Sequence, residues 1–456
     1  MQELFGELFL LILALPLLAN AQTALSLRDA VEQAQKKYPA VEVSKAQVEA
    51  AAAGIRVART SFLPRFDSVA QVNRATYNNI TGILLQQPVI SPISGPPVRE
   101  NSATSVFGSA VGLLIDWEPF DFGLRRSRVD VAESSRKRAE AAVSRSEFEA
   151  GTSAADAYLT ALAAQEIVRA AQTNVARTRV LVQSVEALVK AELRPGAHLA
   201  VARAEAAAAQ AQVVRAEQAV AEAKALLAGF TGHQPGQISV APGRMLELPP
   251  GEGGPDKVAQ NPAVREQAAV IDEAKARART LDHAWMPRFS LQGTTYARGS
   301  GARPDFTTLG GANGLAPSFY NWGLGFTVKF PILDYAAVRV QQAEEAAKIR
   351  VEENRSRLIL TELEIKRNRA LAAIEAARKL AGLTPVQLEA ARAAESQAQA
   401  RYKAGLAPVV EVADAQRVLA QAEIDNGIAR LNVWRALLAL RAVEGDLTPL
   451  LQMAGQ

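Results

Sequence analysis

The chain has 456 residues, with 51 basic and 47 acidic side chains and a net charge of +4. This near balance does not favour nucleic acid as a partner, because nucleic-acid-binding domains usually present a strongly basic surface. Cysteine is absent, which excludes disulfides, thiolate metal sites and a cysteine-linked lipid anchor.

The first residues, 1–21, have the features of a secretory signal peptide. An apolar run from about residue 8 to 18 ends in a small-residue pattern, and it is too short to span a bilayer as a helix. The segment before it carries Glu3 and Glu7 and no basic residue, unlike most signal peptides. We expect cleavage after Ala21, and the alternative is a buried core segment. No later segment reaches about 18 consecutive apolar residues, so a membrane role would have to rest on strands.

An internal duplication organises the rest of the chain. Residues 38–66 recur 223 positions later as residues 261–289, with "PAV" and "PRF" in both copies. Farther along, the offset is 213, so that "KAELRP" at 190–195 corresponds to "KAGLAP" at 403–408. The predicted domains are a first repeat (22–240), a connector (241–260), a second repeat (261–450) and a C-terminal tail (451–456).

Each repeat begins with an Ala-rich helix that leads into a predicted β-hairpin. The hairpins cover about 64–118 and 287–331, and each contains a loop rich in Gly, Pro and Asn. The last strand, "NWGLGFTVKF" at 321–330, alternates large apolar with small or polar residues, which predicts one apolar and one polar face. The candidate lipid-facing residues are Phe107, Val111, Leu113, Trp322, Leu324, Phe326 and Val328. The alternative is that Trp322 and Phe326 are core residues of a soluble sheet.

Four predicted strands cannot form a membrane barrel alone. An open sheet edge in lipid leaves backbone groups unpaired, and bacterial outer-membrane barrels have at least about eight strands. Several chains would therefore share one barrel. Two chains would supply eight strands and three chains would supply twelve, and the sequence pattern does not choose between these numbers.

Long helices follow the hairpins. The segment 123–191 contains no proline, and at about 1.5 Å per residue it would form a rod about 100 Å long. Apolar and small residues in it recur at spacings of three and four, which predicts a coiled-coil seam. The seam residues are Val168, Ala171, Val175, Thr178, Val182, Val185 and Val189. A long soluble coiled-coil protein is the alternative, but it would have no use for the strands.

With this plan, the chain resembles the TolC-like outer-membrane efflux proteins over about residues 25–450. The resemblance rests on the duplicated order and on short motifs, among them "NPAV", "FLPRF" and "WMPRF" before the hairpins, "PFDFG" and "PILDY" after them, and "RYKAGLAPVVEVADAQRVLAQAE". It implies a mainly α fold with a membrane β-barrel. Three chains would each give four strands to a twelve-stranded barrel, and their long helices would form a tunnel through the periplasm.

The resemblance also implies partners and a location. The protein would be a homotrimer in the outer membrane, in contact with its lipid, and would dock through a periplasmic adaptor onto an inner-membrane transporter. It would act as the exit duct of a tripartite efflux or type I secretion system and would need no cofactor or catalytic residue.

The breaks at Pro195 and Pro408 then correspond to turns at the tips of the helices, about 192–198 and 405–411. By resemblance, the acidic residues of the gate are Glu411 and Asp414. They are spaced i, i+3, so both can face one side of a helix, and threefold symmetry would make each a ring of three carboxylates. The alternative is two solvated carboxylates at a helix start.

Other residues of the predicted gate are Tyr402 and Gly405 in the second turn and Arg194 and His198 in the first. Three positions depart from the family pattern, because Ala407 replaces a frequent basic residue, Glu192 a frequent glycine and His198 a frequent aspartate. Arg194 of the neighbouring turn is our candidate for the missing cation.

Two other classes of function are weaker. The chain has neither a G-x-x-x-x-G-K nor an H-E-x-x-H motif and no cysteine nucleophile, which argues against an enzyme. Its three histidines are far apart in sequence, so we expect no histidine metal site. The remaining alternative is a soluble periplasmic coiled-coil adaptor, which would have one helical hairpin and need no detergent.

Overall fold

A computed structural model describes residues 23–76, 100–250, 257–305, 307–332 and 334–455. The predicted signal peptide and most of the first hairpin loop lie outside the described residues. In chain order the elements are β1 (Thr23–Leu25), α1 (Leu27–Lys37), α2 (Pro39–Thr60), β2 (Arg65–Thr76), β3 (Ser105–Phe120), α3 (Leu124–Lys190), α4 (Gly196–Thr231), β4 (Ile238–Val240), α5 (Pro262–Leu281), β5 (Arg288–Ser300), β6 (Phe319–Lys329), α6 (Asp334–Lys403), α7 (Val409–Glu444) and α8 (Thr448–Gly455).

The chain divides into two compact units. The strand unit comprises Val48–Arg138 and Ala269–Glu353. The helical unit comprises Met1–Gln47, Ala139–Ala268 and Asn354–Gln456. None of the helices among the described residues is long and apolar enough to cross a membrane.

The strand unit contains one antiparallel sheet in the order β2-β3-β5-β6. Directly paired residues of an antiparallel sheet share a face, so the register assigns each side chain to one side. One face is mainly apolar and carries Phe66, Val72, Phe107, Val111, Leu113, Ile115, Trp117, Phe289, Leu291, Trp322, Leu324, Phe326 and Val328. The other face is mainly polar and carries Arg65, Asp67, Gln71, Asn73, Asp116, Arg288, Gln292, Thr294, Arg298, Asn321, Thr327 and Lys329.

The repeats remain visible in the helices. Helices α4 and α7 each have 36 residues, and both end at a left-handed glycine, Gly232 and Gly445, which keep the offset of 213. Buried small residues recur every seven positions along α4 and α6, which is a coiled-coil period and allows close helix approach. They are Ala202, Ala209, Ala216 and Ala223 in α4, and Ala370, Ala377, Thr384, Ala391 and Ala398 in α6.

The predicted seam of α3 differs in part from the buried one. The buried residues are Ala171, Asn174, Thr178, Leu181 and Val185, at alternating spacings of three and four. Val175 and Val182 lie beside this line and are half-buried. The apolar pattern missed Asn174 because a polar side chain occupies that seam position.

At the end of the first repeat and after the second, the structure contains elements that the sequence pattern did not predict. The strand β4 pairs in parallel with β1, and the hydroxyl of Tyr158 lies 3.0 Å from the Leu25 carbonyl oxygen and 2.6 Å from that of Ala241. The predicted tail belongs to α8 as far as Gly455, because Leu450 and Met453 are buried in the main core of the helical unit. Pro385 lies within α6 and does not end it.

Candidate functional site

The two tip turns have the same backbone design. The chain is left-handed at Glu192, with φ of 58°, and at the corresponding Gly405, with φ of 80°. In both turns the amide of the next leucine donates to the carbonyl oxygen five residues earlier at 2.9 Å, as in a Schellman motif. Glycine adopts this conformation readily, whereas the Cβ of Glu192 makes it unfavourable. Glu192, one of the three departures noted in the sequence, therefore lies at the strained position of the first turn.

Arg194, Tyr402 and Gly405 come together across the two turns. The Nη2 of Arg194 donates to the Tyr402 carbonyl oxygen at 3.1 Å, and its Cζ lies 5.2 Å from the centre of the Tyr402 ring. A Cβ at Gly405 would lie 3.4 Å from the same Nη2. That is an ordinary van der Waals distance, so glycine is favoured at 405 by its φ of 80° and not by lack of space.

His198 joins this group through the Tyr402 ring, and the two ring centres are 6.2 Å apart. The Nδ1 of His198 and the hydroxyl of Tyr402 are buried and have no hydrogen-bond partner among the described residues. Burial raises the pKa of Tyr402, and the Arg194 charge opposes part of that rise. Tyr402 also belongs to a tip cluster with Leu181, Val185, Ala202, Ala398, Val409 and Val412.

Glu411 and Asp414 have a different environment. Glu411 forms an ion pair with Arg401 at 3.1 Å, and Asp414 forms one with Arg417 at 2.6 Å. The two carboxylate side chains are 41% and 56% exposed. Sequence reasoning missed both arginines, although Arg417 stands three residues after Asp414 and so fits a helical ion pair. Exposed pairs of this kind contribute about 0–1 kcal/mol, so they leave the carboxylates available for other cations.

A second contact between the repeats was also missed. Arg177 of α3 donates two hydrogen bonds of 2.8 Å to the carboxylate of Glu423 in α7, and both side chains are largely buried. A bidentate pair is directional and fixes the relative height of the two helices. The sequence offered one sign of this contact, which is that Arg177 is next to the seam residue Thr178.

In the strand unit, Asp121 organises the junction between β3 and α3. Its Oδ2 accepts from the backbone amide of Arg125 at 2.7 Å and from the Nε of Arg125 at 2.8 Å, and the pair is buried. Arg125 in turn donates to the Ser61 carbonyl oxygen at 3.1 Å. Burial alone would raise the pKa of Asp121, but these hydrogen bonds and the Arg125 charge outweigh it and lower the pKa.

The seven candidate lipid-facing residues all lie on the apolar face of the sheet. Six are exposed, and Trp322 reaches 82% exposure and Leu324 73%; Phe107 is half-buried beside the Arg74 guanidinium. A contiguous exposed apolar surface is unusual for a water-soluble protein and marks an interaction site.

Solved structures share this fold. The outer-membrane channel OprN is 20% identical with a TM-score of 0.70, covering 92% of this chain and 89% of that one. CmeC from Campylobacter jejuni is 15% identical with a TM-score of 0.70, covering 92% and 85%. VceC from Vibrio cholerae is 16% identical with a TM-score of 0.68, covering 92% and 96%. Comparison with curated protein sequences gives no match.

The model of one protein family, described as "Outer membrane efflux protein", matches residues 30–233 and 256–446. The match covers both repeats and most of the chain. The chain therefore belongs to the outer membrane efflux protein family, and its site of action is the outer membrane.

Proposed function

We propose that the protein is the exit duct of a tripartite efflux or secretion machine and that three copies form one channel. The observation that carries this proposal is the two-faced sheet of the strand unit. It has an exposed apolar face, a polar face, and two edge strands, β2 and β6, without a further strand partner among the described residues.

Closure by neighbouring copies would satisfy both edges. The strands of each chain alternate in direction, and their number is even, so β6 of one copy can pair antiparallel with β2 of the next. Backbone groups left unpaired in lipid cost several kcal/mol each, so the closed form is strongly favoured. Three copies give twelve strands, in agreement with the family resemblance.

The helices next to these edges support the same contact. Helix α2, which leads into β2, exposes Val43 and Val57, at 59% and 68%. Helix α6, which follows β6, exposes a line that includes Val340 and Val351, at 71% and 56%. Exposed apolar side chains on the helices that adjoin the two edge strands in sequence favour a head-to-tail ring of identical chains.

In this proposal the tip turns form the gate. Glu411 and Asp414 would each be repeated three times around the axis, and the Arg194–Tyr402 contact would restrain the two turns of each chain. A periplasmic adaptor and an inner-membrane transporter would supply the cargo, and the chain itself would catalyse no reaction. Choice of cargo would lie mainly with the transporter.

The experiment is purification from outer membranes followed by reconstitution. We expect extraction only in detergent, co-purification of an adaptor and a transporter after mild cross-linking, and discrete conductance steps in planar bilayers. A water-soluble chain without channel activity would contradict the proposal and would support a soluble coiled-coil protein.

A further inference from the structure

The second hairpin presents two cations that face each other on the polar side of the sheet. Arg288 is the first residue of β5, Lys329 is the last of β6, and the two are direct partners in the register. Side chains of direct partners start about 5 Å apart, and like charges in this arrangement destabilise a sheet. A negative group near the pair would relieve this repulsion.

The duplicated position in the first hairpin is arranged differently. The counterpart of Arg288 is Arg65, and the counterpart of Lys329 is Asp116, which is the direct partner of Arg65. Arg65 also forms an ion pair with Asp67 at 2.9 Å. The first hairpin thus compensates its arginine with two carboxylates, whereas the second hairpin places a lysine opposite its arginine.

The strands of the second hairpin supply no carboxylate to this pair, because β5 and β6 contain neither aspartate nor glutamate. Neither Arg288 nor Lys329 has an ion-pair partner among the residues that the structure describes. Asp116 lies opposite Gln292, four residues from Arg288 along β5, or about 13 Å away at 3.3 Å per residue. Glu118 stands nearer, in the irregular register between Trp117 and Phe120, but forms no ion pair with either cation.

We infer that Arg288 and Lys329 form a binding site for an anionic group of the phosphate or carboxylate type at the helix-proximal end of the barrel lumen. The planar guanidinium can bind such a group through two hydrogen bonds, and the ammonium adds a mobile point charge. The site rests on the proposed function, since the polar face lines a lumen only when copies close the sheet. Threefold repetition then places three such sites around one cross-section.

The test uses the reconstituted full-length protein in planar bilayers, with inorganic pyrophosphate as the probe. Added on the barrel side, pyrophosphate should block the wild-type conductance. The variant Lys329→Asp recreates the Arg–Asp arrangement of the first hairpin and should raise the half-blocking concentration by about tenfold or more. Arg288→Gln should act in the same direction, and Lys329→Arg, which keeps the charge, should retain the block.

Equal block in wild type, Lys329→Asp and Arg288→Gln would overturn the site. Block that changes with lipid charge but not with the side of addition would also overturn it, because lipid phosphate would then be the ligand. A wild-type protein without conductance would refute the proposed duct instead. If Lys329→Asp does not assemble, Lys329→Gln gives the same comparison.

Discussion

Arg194 of the first tip turn caps the end of the helix that leads into the second turn, through the carbonyl oxygen of Tyr402. The same oxygen accepts from the amide of Gly405 at 3.1 Å, so it belongs to the last turn of α6, where unpaired carbonyls are partly negative. The two residues come from different repeats. Their contact therefore restrains one turn against the other within a single chain.

We predict that Arg194→Ala loosens the tip. The change removes a cation–π contact and a charge-assisted hydrogen bond, together about 1–3 kcal/mol. Single-channel conductance in planar bilayers should rise severalfold. Arg203→Ala is the matched control, because Arg203 is exposed and, among the described residues, forms only a 3.8 Å pair with Glu186.

The substitution Tyr402→Phe removes the hydroxyl and keeps the aromatic ring. The hydroxyl has no hydrogen-bond partner among the described residues, so its removal should leave both conductance and thermal stability nearly unchanged. A large conductance increase in Tyr402→Phe would show that the hydroxyl has a partner in the assembled channel, and that the restraint does not depend on the ring and the carbonyl oxygen alone.

The gate proposal predicts that Glu411→Gln combined with Asp414→Asn removes most of the cation preference. The double variant keeps the side-chain shapes and takes away six charges from a threefold-symmetric pore. Reversal potentials in a salt gradient measure the preference, and block by a trivalent cation should weaken in parallel. Unchanged selectivity would place the narrowest charged point elsewhere, with Arg194 and His198 as the next candidates.

Charged substitutions test which face of the sheet contacts lipid. Trp322→Asp and Phe326→Lys put a charge on the apolar face, which costs up to about 2–4 kcal/mol at mid-bilayer. Asn321→Asp is the control, since its side chain lies on the polar face. We expect the first two variants to lose heat-resistant oligomers on gels, while the control keeps them. Equal behaviour of all three would contradict this assignment of the faces.

The Asp121–Arg125 pair predicts a dependence on pH. Because the pKa of Asp121 is lowered in the folded chain, its stabilisation is complete above the ordinary pKa of about 3.8 and is lost as pH falls through the folded value. At neutral pH, Asp121→Asn should cost about 3 kcal/mol by leaving buried Arg125 without its counterion.

Below pH 4 the difference in melting temperature between wild type and Asp121→Asn should shrink. Asp130→Asn, which breaks an exposed pair with Arg126, should change stability little at any pH. A constant difference down to pH 2 would contradict the assigned role of the Asp121 carboxylate.

The sequence predicted the fold well because the duplication supplied independent copies of each signal. The first strand illustrates the gain, since its apolar face carries small residues, Ser68 and Ala70, between Phe66 and Val72. Periodicity alone is weak there, and the second repeat identified the segment as a strand. The tip turns could be located for the same reason, at proline and glycine.

Contacts between the repeats were beyond sequence reasoning. Arg177 and Glu423 are 246 positions apart, and no local pattern pairs them. The arginine partners of Glu411 and Asp414 were missed because the motif marks only the acidic positions, and Arg401 lies on the other side of the tip turn from Glu411. Helix α8 was not predicted because it is short, and only burial of Leu450 and Met453 shows that it belongs to the core.

The shared barrel is tested most directly by cross-linking of the two edge strands, β2 and β6. Because the native chain has no cysteine, engineered pairs are unambiguous. Gln71→Cys in β2 is combined in turn with Asn321→Cys, Gly323→Cys or Gly325→Cys in β6, all on the polar face. Oxidation in native outer membranes should link at least one combination into covalent oligomers that stop at three chains. Products that stop at two chains, or monomers in every combination, would contradict a shared trimeric barrel.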